Sequence, residues 1–549
     1  MTIGRKRSGL PQWLWFCVVG LGIVLVGGLL LRPYFYQLVD RSLPQPPPDW
    51  DFGAERARDV PIPVSGGGEV SAEEWPMISG GELLGQVLPL QISNAASLDV
   101  IPGEYVLFFQ DAFTRERLLA LARQHGVRVL DADGFTVRIR VADRRRLERL
   151  LAAFSGDVDI EANVRVRIPL LDETDEALPA PQTPYRGFGD QALAWLGVPE
   201  PDRNWGSGVR IAILDTGVVG VPVAHRLNLR TGDAPGEHGS LVAGILQKML
   251  PSVLLMDVQV MGSDGLGDTY TVAKGIREAV DAGADIINMS IGTRGSSRVL
   301  TEAVRYALDQ GVLIVASAGN EGTERVSYPA AYPGVLGVAA IDAEERHLHF
   351  SNRGVQVDLA APGVGVRVDL VNREGVSFSG TSASAPFVAA SAGLALSVDS
   401  SLQGEALRGL LLATANDVGE PGVNFLTGAG VVSPQRILEH NQPGIVDVAV
   451  LRPHFHFHED GTLVSVAVAA QNRGTADVDT AEMTVVVNDR EHRVVFDGIS
   501  RGYTMVYTLD AEQLRGDPDV VDVLVQVAVP GDIRPENNQV RSVWMPIVP

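Results

Sequence analysis

From about residue 189 onward, short apolar runs alternate with stretches of helical periodicity. The runs are Val209–Leu214, Val253–Val260, Ile286–Met289, Val312–Ala316 and Val335–Ala339. Strands separated in this way by helix-length segments predict a parallel sheet, because parallel neighbours need a crossover between them. Such a sheet is covered by helices on both faces, so the fold class expected is α/β.

The flanks read differently. Between Ile101 and Ile168 the predicted order is β-α-β-β-α-β, with a turn at Asp133-Gly134, which is the ferredoxin-like α+β unit. After about Gln442, Val464, Val466 and Val468 alternate at period two, and Val520 to Val529 alternates too. Thr484 to Val487 and His492 to Phe496 flank Asn488-Asp489 as a hairpin would, so the tail predicts a small antiparallel β-sandwich. The chain has 549 residues, room for roughly three or four domains at about 100–200 residues each.

Trp13 to Leu31 is uncharged and apolar. As a helix it would span about 28 Å, close to the ~30 Å hydrocarbon core of a bilayer. Arg5, Lys6 and Arg7 precede it and predict a cytoplasmic N-terminus. A cleaved signal peptide is the competing reading, but Leu29-Leu30-Leu31-Arg32-Pro33-Tyr34 is a poor cleavage site. The domains expected are a basic tail (1–9), a transmembrane signal anchor (10–32) and a Pro/Gly-rich spacer (33–99). The α+β unit (100–168), a linker (169–188), the α/β domain (189–441) and the β-sandwich (442–549) follow. On this reading the protein is a single-pass protein of the cell membrane with its bulk outside the cytoplasm. The net charge of −22 disfavours nucleic acid and anionic lipid surfaces as partners. The single cysteine, Cys17, excludes an internal disulfide and any Cys-based metal site.

Three segments of the α/β region carry chemistry. Ile211-Ala212-Ile213-Leu214-Asp215-Thr216-Gly217 ends an apolar strand in a carboxylate. His238-Gly239-Ser240-Leu241-Val242-Ala243-Gly244 opens a helix on a histidine, and Gly380-Thr381-Ser382-Ala383-Ser384-Ala385-Pro386 heads another with a serine. A serine hydroxyl needs a neighbouring base to become a nucleophile, and histidine titrates near neutrality. A buried carboxylate fixes the imidazole tautomer and stabilises the imidazolium. Taken singly, each residue has a plain alternative: Asp215 a turn or helix cap, His238 a surface histidine, Ser382 an N-cap.

Together these segments resemble the subtilisin-like serine peptidases, in that family's chain order Asp…His…Ser. The resemblance runs from about Gly189 to Gln435. It includes Asn288-Met289-Ser290-Ile291-Gly292, Ala318-Gly319-Asn320-Glu321-Gly322, Tyr328-Pro329-Ala330, Phe350-Ser351-Asn352 and Ala361-Pro362-Gly363. It implies a catalytic triad of Asp215, His238 and Ser382, with Asn320 and the Ser382 backbone N–H holding the oxyanion. It also implies that Gly265, Leu266 and Gly267 pair with one edge of an extended peptide substrate, and Ser290, Ile291 and Gly292 with the other. Ser327 would floor the first specificity pocket. No cofactor and no metal is expected, and the short stretch from Gly244 to Val253 leaves out a calcium-binding loop that many relatives carry. The departures are Ser240 for the usual Thr and Ala383 for the common Met.

The segment Ile101 to Ile168 resembles the inhibitory prodomain of the same family, through Ile101-Pro102-Gly103-Glu104-Tyr105-Val106 and Glu161-Ala162-Asn163. The resemblance implies an intramolecular inhibitor that the enzyme removes by cutting between about Pro169 and Phe188. The tail resembles Ig-like adhesion modules, with Pro535-Glu536-Asn537-Asn538-Gln539-Val540 as the last strand. The expected function is serine endopeptidase. The alternatives are an acyl-transfer ligase on the same triad, or an inert surface-binding protein. His454, His456 and His458 alternate and read as a polar strand face before a metal site.

Overall fold

The computed structural model describes residues 99–544 apart from 155–157, 170–183, 372, 459–461, 511–512 and 515–519. The expected anchor and most of the expected spacer lie outside the described residues. Among the described residues, the one helix long and apolar enough to cross a membrane is Thr381–Val398, which is 83% buried within the protein.

The N-terminal unit comprises β1 (Val100–Phe109), α1 (Ala112–Ala122), β2 (Arg128–Asp133), β3 (Thr136–Arg140), α2 (Arg144–Leu151) and β4 (Val158–Arg167). Its strands pair antiparallel in the order β2-β3-β1-β4. Asp111 and Asp143 cap the two helices by accepting Thr114 N–H and Arg145 N–H. Leu107, Leu118, Ile139, Leu147 and Leu150 form a core of the unit's own. The opposite sheet face turns Val106, Phe108 and Val166 into the core of the next domain.

That domain holds the short helix α3 (Ala192–Trp195), then β5 (Arg210–Asp215), β6 (His225–Asn228), α4 (His238–Met249), β7 (Leu254–Gln259) and β8 (Leu266–Asp268). There follow α5 (Thr269–Asp281), β9 (Ile286–Met289), α6 (Arg298–Asp309), β10 (Leu313–Ser317), β11 (Leu336–Ile341) and β12 (Leu359–Pro362). Seven strands form one sheet in the order β12-β11-β10-β9-β5-β7-β6, with every neighbouring pair parallel. Strands β9, β10 and β11 are buried throughout, as strands covered on both faces must be. A hairpin of β13 (Val366–Leu370) and β14 (Arg373–Phe378) leads into α7 (Thr381–Val398), which is buried from Thr381 to Ala395. Helices α8 (Gly404–Ala413) and α9 (Pro434–Glu439) close the domain.

The C-terminal region comprises β15 (Val448–Val450), β16 (His454–Phe457), β17 (Leu463–Asn472), β18 (Val478–Val487), β19 (Arg490–Ile499), β20 (Thr504–Asp510), β21 (Val521–Ala528) and β22 (Gln539–Trp544). They make two four-stranded antiparallel sheets. Val466, Val468 and Leu509 from one sheet and Met483, Val485, Val523 and Val525 from the other meet in one apolar cluster. The β18–β19 turn is Asn488-Asp489, both at positive φ, the conformation a tight two-residue hairpin needs and that Asn and Asp tolerate.

Candidate active site

The polar residues singled out from the sequence converge at the carboxyl ends of the parallel strands. β5 delivers Asp215, fully buried, at its last position. His238 is the first residue of α4, and its Nδ1 lies 2.9 Å from both Asp215 carboxylate oxygens. The Thr216 N–H donates to the same carboxylate at 2.6 Å, so Asp215 is oriented from two sides. The close approach depends on Gly239, where a Cβ would stand 2.5 Å from the Gly217 carbonyl oxygen and 3.2 Å from Asp215. The imidazole keeps 14% of its side-chain exposure while the carboxylate keeps none, so only the histidine faces the cleft. Phe378, at the end of β14, packs edge-on against the imidazole at 5.4 Å.

Ser382 opens α7 one residue after Thr381. Pro386 has no N–H, so the Ser382 carbonyl has no i+4 donor within the helix. Ser290 Oγ donates to it instead at 3.1 Å, and Asn288 Nδ2 donates to Ser290 Oγ at 3.2 Å. Ser382 Oγ in turn donates to the Ser290 carbonyl at 3.3 Å, while His238 Nε2, buried, has no hydrogen-bond partner among the described residues.

Asn320 is 1% exposed, and its amide is locked. Its Oδ1 accepts from Thr381 N–H at 2.9 Å and Thr381 Oγ1 at 2.8 Å. Thr381 Oγ1 also accepts from Gly319 N–H at 3.2 Å, so the hydroxyl can point only at Asn320. Gly380, at φ 117°, leaves room for this amide, since a Cβ there would stand 2.8 Å from Asn320 Nδ2. Nδ2 is left to face the cleft, where it donates to the Pro169 carbonyl at 2.9 Å.

The cleft holds the chain's own strand. Arg165, Val166 and Arg167 of β4 pair antiparallel with Asp268, Gly267 and Leu266 of β8. Ile168 N–H donates to the Gly265 carbonyl at 3.0 Å. On the other side Arg167 exchanges both backbone hydrogen bonds with Gly292, at 2.8 and 2.7 Å. Five residues expected on the cleft edges, Gly265, Leu266, Gly267, Ser290 and Gly292, thus flank this strand or the serine beside it, while Ile291 is wholly buried. A Cβ on Gly292 would meet Ser327 Cβ at 3.1 Å and Pro169 Cγ at 3.8 Å, so Ser327 and the Pro169 ring border the same space.

Two further contacts were not read from the sequence. Glu161 of β4 accepts from Ser297 Oγ, Arg298 N–H and Val299 N–H at 2.8 to 3.0 Å, on the first turn of α6. Asn163 accepts from Thr269 Oγ1 and Tyr270 N–H at the start of α5. Burial pushes the Glu161 carboxyl above its ordinary range, and those donors pull it back. Behind Asp215, the buried Asp257 on β7 is ion-paired with Arg226, and burial raises its pKa with the Asp215 charge adding to it. These pairings join residues far apart in sequence, and only Glu161-Ala162-Asn163, as a motif, carried a trace of them. Among the described residues no group of three or more His, Cys, Asp or Glu side chains could hold a metal ion.

A strand-end carboxylate on a helix-opening histidine, a serine at the head of a buried helix and an amide fixed by Thr381 make the equipment of a serine hydrolase. Sequence comparison with known proteins agrees. The Subtilase family (Peptidase S8) matches residues 206–430. Subtilisin BL of Lederbergia lenta is 35% identical over 249 residues, which is 42% of this chain and 90% of that protein. The thermostable alkaline protease of Halalkalibacterium halodurans is 35% identical over 244 residues, 41% of this chain and 68% of that protein. A crystal structure of a lanthipeptide protease aligns with a TM-score of 0.40 at 25% identity, over 43% of this chain and 89% of that one. The chain belongs to the subtilase family and is a subtilisin-like serine endopeptidase, a hydrolase.

Proposed function

We propose that Asp215, His238 and Ser382 are the catalytic triad and Asn320 the side-chain donor of the oxyanion hole. Ser382 Oγ attacks the carbonyl carbon of an extended peptide as His238 takes its proton. The C–N bond breaks, the proton passes to the leaving amine, and water releases the acyl group from Ser382. The observation that carries this reading is the 2.9 Å bond from Asn320 Nδ2 to a peptide carbonyl, beside a histidine bound to a buried carboxylate. A donor aimed there stabilises charge as it develops on that oxygen. Gly265–Gly267 and Ser290–Gly292 hold the substrate backbone by β-strand addition, and Ser327 floors the pocket for the residue before the cut bond.

The N-terminal unit is, on this reading, an inhibitory prodomain removed by the enzyme itself. Because the Pro169 carbonyl lies on Asn320, the bond to be cut is Pro169–Leu170. The C-terminal sheets form an Ig-like β-sandwich of the adhesion type. Residues 10–32 anchor the protein in the cell membrane with the catalytic domain outside the cytoplasm. Their apolar, uncharged core and the preceding basic cluster support this.

A fluorophosphonate probe tests the site. Wild-type protein should be labelled and Ser382→Ala should not, with turnover down by about 10⁶, the loss subtilisin shows for its own serine. Labelling that survives Ser382→Ala would refute the assignment. Carbonate extraction of membranes tests the anchor, since deleting residues 10–32 should move the protein to the soluble fraction.

A further inference from the structure

The strand in the cleft ends on the one residue type that cannot finish its own ladder. Arg167 and Gly292 exchange both backbone bonds, so they are a hydrogen-bonded pair of an antiparallel ladder. Such pairs recur every second residue, so the next would join residue 169 to Ser290, with the N–H of 169 donating to the Ser290 carbonyl. Residue 169 is proline and has no N–H. The Ser290 carbonyl accepts Ser382 Oγ instead, at 3.3 Å, and His238 Nε2 is left without a partner among the described residues. The Ser290 side chain is engaged elsewhere, its Oγ donating to the Ser382 carbonyl and accepting from Asn288 Nδ2.

We propose that Pro169 is a brake on self-cleavage. By withholding an N–H from Ser290, it leaves that carbonyl to hold the Ser382 hydroxyl off His238. A peptide with an ordinary residue in the same place occupies Ser290 with its own N–H and frees Ser382 for the histidine. The Ser290 carbonyl thus selects for an N–H on the residue whose carbonyl is attacked, and the chain's own segment is the substrate that fails the test. This rests on Ser382 being the nucleophile.

The brake has two readouts. In the full-length chain, Pro169→Ala should shorten the protein at least about tenfold faster than wild type, in line with one well-placed hydrogen bond. For the processed enzyme, three peptides of sequence Arg-Ile-X-Leu are compared, with X as alanine, proline or N-methylalanine. N-methylalanine removes the N–H without closing a ring, so it separates the missing donor from the shape of proline. Proline and N-methylalanine should both be cut at least about tenfold more slowly than alanine. If N-methylalanine is cut as fast as alanine, the missing N–H is not the cause and the proposal fails. If Pro169→Ala folds and shortens no faster than wild type, it fails as well, and should that variant not fold, the peptides decide alone. If even the alanine peptide is uncut and no fluorophosphonate binds, the assignment of Ser382 falls first and the brake with it.

Discussion

The catalytic domain is gripped on two sides by all-antiparallel sheets, and the two grips differ in kind. On the N-terminal side, besides the cleft strand, contact runs through Asp131–Lys274, Asp133–Arg277 and Asp159–Arg298, ion pairs whose side chains are 21 to 40% exposed. The Arg298 guanidinium also lies 4.3 Å from the centre of the Phe108 ring. On the C-terminal side the exposed Arg452–Glu345 pair is joined by buried polar groups. Arg436 donates to the carbonyls of Ala413, Ala415 and Arg473. Gln471 accepts Asp417 N–H and donates to Ala415 O, and Thr504 Oγ1 donates to Asp417. Burial lowers the Arg436 pKa to about 10, with the Arg473 charge adding to it. Exposed pairs contribute little and are screened by salt, whereas losing a buried donor takes a hydrogen bond from each of the carbonyls it serves. The N-terminal contact thus adds exposed ion pairs, which salt can screen, to Glu161 and the buried Asn163, Val106, Phe108 and Val166, whereas the C-terminal contact relies mainly on buried polar groups.

This contrast is open to attack at several points. The largest effect expected is from Arg436→Met, which removes a buried donor from the Ala413, Ala415 and Arg473 carbonyls and should lower stability by about 1–3 kcal/mol. Urea unfolding followed by tryptophan fluorescence measures it. Two separated transitions in the wild-type protein would show that the C-terminal sheets are not locked to the catalytic domain. Next is Glu161→Gln, made in a Ser382→Ala background so that the chain stays whole. Removing the charge from the start of α6 should cost about 1 kcal/mol and speed hydrogen exchange in β1 and β4 about fivefold. Exchange in β15 and β17 should not change.

A smaller effect is expected from about 1 M salt, where the Debye length falls to ~3 Å. It should loosen the N-terminal sheet by roughly 0.2–1 kcal/mol per ion pair and move the C-terminal contact, whose one exposed pair among the described residues is Arg452–Glu345, less, again read by exchange. The smallest near neutrality comes from His347, whose pKa is lowered from 6.5 to about 4 by burial and by Arg353. As pH falls through 6.5 the unfolded chain takes up a proton that the folded domain refuses until about 4. Stability is therefore whole above that window and declines across it. His347→Asn should flatten the decline in melting temperature between pH 7 and 4, and should do so for the central domain without favouring either grip.

Much of the α/β domain was legible because its strands are continuous apolar runs, and nothing but a two-sided parallel sheet uses such runs repeatedly. Asp215, His238 and Ser382 were legible as residues because each sits in a local frame, a strand end or a helix start, that the neighbouring glycines and small side chains announce. Helical spacing is plain only from Arg115 to His125, whereas α1 begins at Ala112, because the Asp111 cap extends it by most of a turn. It treated residue 169 as the first of a linker, whereas Pro169 is buried on Asn320. Thr381, Asn288 and Glu161 lay inside the quoted motifs without showing their partners, and Phe378 and Arg436 carried no signal, since an arginine looks the same whether it serves three carbonyls or faces water.

The sequence by itself determined the periodicities, the local motifs and the absence of an N–H at residue 169, all properties of neighbouring residues or of one residue's covalent structure. The tertiary structure alone decided which distant groups meet. The Asn320 amide is aimed by Thr381, and the Ser290 carbonyl is close to Ser382, because β9, the segment after β10 and α7 are brought to one end of one sheet. Hydrogen bonds act only within about 3 Å, and partners separated by tens to hundreds of residues reach that range only once the core has fixed the strands in register.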